Sequence, residues 1–269
     1  MVRSADNIIS HTKILALIAA ALIVWSADFS SAFFMETDTD NRAFTETLQK
    51  NVHNGHVNYK ALCKDPALST YVAQLSKTAP DGSEESQLAF WINAYNAYTL
   101  KVICDHYPVK SINELHRGGL IIGTLTKGTI WDKKLAIING EPLTLNHIEH
   151  EVIRKQFHEP RAHFALVCAS VSCPALRPEA YEAAKLNEQL EDQAKLFFAD
   201  SGKNSFDVPD KIAHLSKILD WYSGDFGKTK QDVLLFVSRF VAEPIASEIR
   251  KDPGKWKIEY TDYNWDLNE

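Results

Sequence analysis

The stretch SEESQLAFWINAYNAYTLKVICDHYP, residues 83–108, decides the fold because it is too apolar for a surface helix. From Leu88 to Cys104 large apolar side chains recur on every face, which is typical of a buried helix. Ser83, followed by Ser86 and Gln87, indicates a helix start, and Pro108 cannot continue a helix. We therefore expect a central helix around which the rest of the chain packs.

Two polar residues, Asn93 and Asn96, interrupt this apolar helix and lie three positions apart, so they share one face. A buried amide without a hydrogen-bond partner costs about 1–3 kcal/mol, so both side chains need partners. They either clamp a neighbouring loop, or they orient a catalytic group and donate to an oxyanion. We predict that both support a site.

The flanking sequence predicts an α+β fold: a single domain with the central buried helix, a small antiparallel sheet or hairpin, and peripheral helices. Asn139-Gly140 is a strong hairpin signal between two strand-like runs. Asn146, with Glu149 three residues later, predicts an N-cap and a capping box. Residues 162–168 predict a strand, and helices are expected at 66–77, 186–198 and 232–240 and after Pro174.

The first residues resemble a targeting signal. An apolar run from Ile14 to Trp25 is about half the roughly 20 residues that a membrane-spanning helix needs, and small residues follow it. This pattern predicts a signal peptide over 1–32 that is cleaved after Ala32, with an uncleaved anchor as the alternative. We expect a single globular domain over 33–269, periplasmic or secreted, with no stable membrane span after cleavage.

The charge pattern argues against one class of partner. The formal net charge is -6 and both signs are mixed along the chain, whereas a nucleic-acid surface needs a basic patch. We predict no nucleic-acid partner, no cofactor and no metal. The sequence does not identify a substrate or a protein partner.

The chain has four cysteines, an even number that permits disulfides in an exported protein. Three pairings are open and free thiols are equally consistent. There is no Cys-x-x-Cys motif, which argues against a thioredoxin-like redox site. Cys168 is expected to point away from His163, because the two positions lie on opposite faces of the predicted strand.

Cys173 and His163 form the candidate catalytic pair, with the thiol as nucleophile and the imidazole as base. A helix that begins near Pro174 would lower the pKa of the thiol. Glu149 and His150 are the candidates for a group that orients the imidazole, although a capping-box role would occupy Glu149. This arrangement predicts a cysteine-dependent hydrolase or acyl-transfer enzyme.

Three other interpretations are open. A disulfide through Cys173, or inert packed thiols, would favour a non-catalytic binding or scaffold domain. A weaker interpretation is a metal site that uses His150, His163 and Cys173, because three mixed ligands with an open position suit catalytic zinc.

Five blocks of sequence resemble the domain of unknown function 547 family, in the family's order and over about 85–267: FWINAYNAYTLKVI, LTLNHIEHEVIR, PRAHFALVCASVSCPALRPEAY, LSKILDWYSGDFG and YTDYNWDLN. The family includes bacterial exported proteins and longer plant proteins with a coiled coil. The resemblance implies membership without an activity. It singles out residues that are all present here: Asn93, Asn96, Glu149, His150, Arg154, Arg161, His163, Cys168, Ser170, Cys173 and Pro174.

Overall fold

The central helix runs from Glu84 to His106 and is buried along most of its length. It lies in a computed structural model that describes residues 40–116 and 128–269. The Ser83 hydroxyl caps it by accepting a hydrogen bond from the Ser86 N–H, and Tyr107 ends it immediately before Pro108. The predicted central helix is confirmed.

The other elements pack around this helix. In chain order the α-helices and strands are α1 (Arg42–Asn51), β1 (Val52–His53), β2 (His56–Val57), α2 (Tyr59–Leu62), α3 (Pro66–Leu75), the central helix α4, β3 (Lys134–Ile138), β4 (Glu141–Thr144), α5 (Arg154–Phe157), α6 (Leu186–Ala199), β5 (Ser205–Asp207), β6 (Ile212–Leu215), α7 (Ile218–Trp221), α8 (Ser223–Phe226), α9 (Lys230–Val237), α10 (Ile245–Lys251) and β7 (Lys257–Tyr260). A π-helix spans His147–Ile153 and leads directly into α5.

The sheets are small. Strands β3 and β4 form the predicted antiparallel hairpin, with Asn139 and Gly140 at positive φ in its turn. Strand β6 pairs antiparallel with β5 and parallel with β7. This parallel pair is an addition to the small antiparallel sheet that the sequence predicts. The mixture of elements confirms a compact α+β fold.

The predicted strand over 162–168 is wrong. Pro160–Phe164 form a 3-10 helix, which begins where the Glu159 side chain accepts a hydrogen bond from the Arg161 N–H. After this 3-10 helix, the backbone is hydrogen-bonded to a side chain. Asn96 donates to the Ala165 carbonyl and accepts from the Val167 N–H. An amide thus takes the place of a neighbouring strand.

The predicted N-cap at Asn146 and the capping box through Glu149 are also wrong. Asn146 already has helical backbone angles, and its amide donates to Asp132. The hydroxyl of Thr144 accepts the hydrogen bond from the His147 N–H and takes the capping role. The Glu149 side chain therefore has no capping role at the helix N-terminus, and it is buried.

The helix expected after Pro174 is wrong as well, since residues 174–182 have no regular secondary structure in this described part. Asn93 fixes this segment by donating to the Tyr181 carbonyl and accepting from the Tyr181 N–H, each at 2.8 Å. The two asparagines of the central helix thus clamp two separate loops, which is the first of the roles expected for them.

The C-terminal tail, residues 261–268, returns to the core beside the 168–173 loop. Leu267 donates to the Lys110 carbonyl, Asn268 to the Ala169 carbonyl, and Val171 to the Asp266 carbonyl. The tail is therefore held from both sides and carries its side chains to the central region.

Two hydrophobic clusters stabilise the fold, one around the central helix and one among the C-terminal helices and β6. No helix of the described residues is long and apolar enough to cross a membrane. The predicted signal peptide over 1–32 and the segment 117–127 lie outside the described residues.

Candidate functional site

The sulfur atoms of Cys168 and Cys173 are joined in a disulfide, and a second disulfide joins Cys63 to Cys104. All four cysteines are therefore paired. Cys168 is the partly exposed member of the first pair, whereas Cys173 is only 3% exposed.

Hydrogen-bond donors surround this disulfide. The Cys168 N–H donates to Cys173 Sγ at 3.0 Å, and the Tyr263 hydroxyl lies 3.2 Å from each sulfur. The buried Ser170 hydroxyl is 3.4 Å from Cys168 Sγ. Burial raises the pKa of Tyr263 and the nearby charge of Glu149 raises it further, so the hydroxyl keeps its proton and acts as a donor.

A buried carboxylate, that of Glu149, lies close enough to Tyr263 for its charge to act on the phenol. Glu149 accepts a hydrogen bond of 2.6 Å from the Tyr222 hydroxyl. The pKa of Tyr222 and that of Tyr95 are raised, first by burial and then by the charge of Glu149. Both phenols therefore stay protonated, and hydrogen bonds compensate for the burial of the carboxylate.

His163 is part of a second cluster, with Asp225 and Arg154. Its Nε2 donates to Asp225 Oδ2 at 2.7 Å, so Nδ1 is the ring nitrogen that does not face this carboxylate. Arg154 binds the same carboxylate through Nε and Nη2 at 2.6 and 3.0 Å. Hydrogen bonds from His163 and then from Arg154 hold the pKa of Asp225 well below its usual range.

Aromatic rings fix the imidazole between them. The Tyr222 ring stacks on His163 with centroids 4.2 Å apart, and the Phe226 ring lies at 5.3 Å. Tyr222 thus contacts Glu149 through its hydroxyl and His163 through its ring, and it connects the two clusters.

The Arg154 guanidinium also donates from Nη1 to His150 Nδ1 at 3.0 Å. His150 is therefore connected through Arg154 to the cluster of His163 and Asp225. Its ring centroid lies 6.2 Å from that of Tyr222.

A small cavity of about 190 Å³ opens beside this cluster, and its lining includes Arg154, His163, Leu166 and Asp225. Pockets for drug-sized ligands are about 300–1,000 Å³, so this cavity suits water or a small polar group.

The structure brings most of the predicted site residues into one region. Glu149, His150, Arg154 and His163 connect through Tyr222 and Asp225, and Ser170 lies at the disulfide. Among the described residues, no hydrogen bond joins His163 to Cys173. The described side chains also contain no group of three His, Cys, Asp or Glu residues arranged to hold a metal ion.

Comparison with known proteins places the chain near one family. Residues 79–198 match the family model described as "Protein of unknown function, DUF547". The chain resembles the DUF547 family. The searches of curated proteins and of solved structures gave no match.

The DUF547 segment contains every site residue predicted from the sequence, from Asn93 to Cys173. Tyr222, Asp225 and Tyr263 were missed, and they lie beyond it. Their only signal in the sequence was their position in the family-like blocks LSKILDWYSGDFG and YTDYNWDLN.

Proposed function

We propose that this chain is an exported thiol–disulfide exchange protein whose reactive pair is Cys168 and Cys173. Export is inferred from the signal-like sequence of residues 1–32. The observation that carries the proposal is the set of donors around Cys173 Sγ. A disulfide sulfur is a weak acceptor, whereas a thiolate gains strongly from the same hydrogen bonds.

The partly exposed Cys168 is the sulfur that an incoming thiolate attacks. A bond forms between the incoming sulfur and Cys168 Sγ, and the Cys168–Cys173 bond breaks with its electron pair on Cys173 Sγ. The Cys168 N–H and the Tyr263 hydroxyl stabilise this leaving thiolate, and a better leaving thiolate speeds exchange.

The Cys173 thiolate then attacks the mixed disulfide and releases the incoming thiol, or a second incoming thiolate completes the reduction. Two thiols are oxidised to one disulfide for each protein disulfide that is reduced. The spacing of five residues differs from Cys-x-x-Cys, where a helix N-terminus commonly lowers the thiol pKa. Here the backbone N–H and the tyrosine would have that role.

A cysteine-dependent hydrolase or acyl-transfer enzyme is the second candidate, and the contact between His163 and Asp225 favours it. A carboxylate that fixes an imidazole is the usual partner of a catalytic base. Cys173 would be the nucleophile after reduction, and His163 would have to approach its sulfur. Glu149 and His150 would act through Tyr222 and Arg154.

The alternative to both is a non-catalytic binding or scaffold domain. The clamps made by Asn93 and Asn96, and the two disulfides, favour this role because they hold loops in fixed positions.

Redox titration tests the proposal, with the second disulfide as an internal control. The oxidised protein is equilibrated with glutathione mixtures of increasing reducing strength, the free thiols are alkylated, and both pairs are quantified by mass spectrometry. We expect Cys168–Cys173 to open under less reducing conditions than Cys63–Cys104. Opening of both pairs together, or of the control first, would contradict exchange.

The same reduced sample tests the second candidate. Hydrolysis of amide or ester probes that disappears in Cys173→Ser would support the hydrolase. If neither exchange nor hydrolysis is observed, the scaffold alternative remains.

A further inference from the structure

Four aromatic rings form a continuous surface beside the disulfide, here called the aromatic face: Trp131, Trp221, Tyr263 and Trp265. Tyr263 is central, with ring centroids 4.5 Å from Trp265 and 4.8 Å from Trp221. Trp265 also lies 6.0 Å from Trp131 and 5.8 Å from Trp221. These spacings are those of contacting aromatic pairs.

The aromatic face meets solvent mainly through Trp221, which is 46% exposed. Trp131, Tyr263 and Trp265 are partly buried and pack against the core behind it. Val171, which is 40% exposed, lies next to the tail because its N–H donates to the Asp266 carbonyl. Contiguous exposed apolar surface is uncommon on soluble domains and marks a place where something binds.

The backbone holds this surface in place. Tyr263 and Trp265 are two residues apart in an extended tail, so their side chains share one side. The Ser172 N–H donates to the Asn264 carbonyl, and the Asn264 N–H donates to the Ser172 hydroxyl. The Ser111 hydroxyl donates to the Trp265 carbonyl. A partner would therefore meet rings that are already ordered, which reduces the entropy cost of binding.

The aromatic face is continuous with the reactive disulfide through one residue. The Tyr263 ring belongs to the face, and its hydroxyl lies 3.2 Å from Cys168 Sγ and from Cys173 Sγ. A thiol that reaches the partly exposed Cys168 must therefore bring its neighbouring groups onto or beside these rings.

We propose that the aromatic face binds an extended polypeptide segment in which aromatic or large apolar side chains flank a cysteine. This inference rests on the proposed exchange function and names its substrate class. Rings of the segment would stack on Trp221 and Trp265 while its cysteine sulfur meets Cys168.

The charge of the tail narrows further the class of segment that can bind. The exposed carboxylates of Asp262 and Asp266 alternate with Tyr263 and Trp265, so they lie on the opposite side of the tail from the rings. Their negative charge acts at a distance and adds to the formal net charge of -6, which disfavours an acidic segment. The preferred segment is therefore aromatic and neutral or basic.

The test measures how fast the reduced protein attacks cysteine peptides activated as mixed disulfides with thionitrobenzoate, whose release is followed by absorbance. Three peptides are compared: one with phenylalanine and lysine around the cysteine, one with serine in place of phenylalanine, and one with glutamate in place of lysine. The mixed disulfide of cysteamine with thionitrobenzoate is the small reference probe.

We expect the phenylalanine–lysine peptide to react about tenfold faster than the serine peptide. The phenylalanine–glutamate peptide should react more slowly than the phenylalanine–lysine peptide. Trp221→Ala should reduce about tenfold the ratio of the phenylalanine-peptide rate to the reference rate. Leu196→Ala is the matched control, because Leu196 is 53% exposed on α6 and its loss should leave that ratio unchanged.

Failure of the function and failure of this inference give different results. If the reference probe does not react with the reduced pair, exchange itself fails. If it reacts but all peptides have one rate, in the wild type and in Trp221→Ala alike, exchange survives and the aromatic face has another occupant. If all peptides have one rate, and a neutral oligosaccharide changes the tryptophan fluorescence of the wild type but not of Trp221→Ala, the face binds carbohydrate and the inference is overturned.

Discussion

The Tyr263 hydroxyl lies 3.2 Å from Cys173 Sγ although 90 residues separate the two in the chain. The same hydroxyl is 3.2 Å from Cys168 Sγ, so one side chain of the tail reaches both halves of the disulfide. The chemistry of the sulfur pair therefore depends on an element that the family-matched segment does not contain.

Tyr263→Phe should slow alkylation of Cys173 in the reduced protein at pH 7 about fivefold. Loss of one hydrogen bond of about 1 kcal/mol raises the thiol pKa by roughly 0.7 unit and lowers the thiolate fraction. Alkylation rates followed by mass spectrometry across pH check this. Tyr260→Phe in β7 is the control and should alkylate like the wild type, and equal rates in all three proteins would contradict the role of Tyr263.

Asp225→Asn should destabilise the fold at pH 7 by about 1–2 kcal/mol, because the partly exposed carboxylate binds both the buried imidazole of His163 and the guanidinium of Arg154. The folded pKa of Asp225 is lowered, so its contribution is complete above the unfolded value near 3.9 and is lost as pH falls towards the folded value.

Urea unfolding at several pH values measures this difference. The gap between wild type and Asp225→Asn should be full at pH 7 and should shrink below about pH 4. Asp262→Asn removes an exposed carboxylate of the tail and should show no comparable gap. A gap for Asp225→Asn that is constant with pH would show that the carboxylate is not the source of the stability.

Tyr222→Phe should cost about 1–3 kcal/mol, because it takes one hydrogen bond from the buried Glu149 and leaves the ring on His163 in place. In a Glu149→Gln background the same change should cost at least 1 kcal/mol less. A double-mutant cycle from urea unfolding measures this coupling. Strictly additive effects would mean that the hydroxyl and the carboxylate do not interact.

Asn96→Asp should destabilise the protein by about 2–4 kcal/mol. The new carboxylate can still accept from the Val167 N–H, but it places an oxygen against the Ala165 carbonyl and loses a donor in a buried position. Thermal unfolding and amide exchange at Val167 check the prediction. Asn187→Asp is the control: its side-chain oxygen accepts from Arg161, so the added charge should be tolerated.

The central helix could be predicted because its apolar residues cover every face, a pattern that few other structures can accommodate. The 162–168 segment could not. Its apolar pattern indicates only that the segment is buried. The segment is buried equally whether its backbone N–H and carbonyl groups bond to a neighbouring strand or to the Asn96 amide, as they do here. From the sequence alone, Asn146 and Thr144 are equally good N-cap residues. The structure decides for Thr144, because its hydroxyl accepts the hydrogen bond from the His147 N–H.

The candidate site was predictable only in part for a similar reason. Cys173, His163 and Glu149 stand out as ionisable or reactive groups in an apolar setting. Their partners are long-range: Asp225 is 62 residues from His163, and Tyr222 is 73 from Glu149. Which phenol or carboxylate meets which group follows from packing, and the pattern of one chain does not contain that information.

The tail between the 168–173 loop and Lys110 has a consequence for biosynthesis. Residues 261–268 are made after all the other described elements, so the sulfur pair exists for a time without Tyr263 over it. A nascent chain would present Cys168 and Cys173 to oxidants and to Cys63 and Cys104 before the tail docks. We therefore expect correct pairing to depend on how fast residues 261–268 dock, and fusions that delay their docking should increase the fraction of scrambled protein.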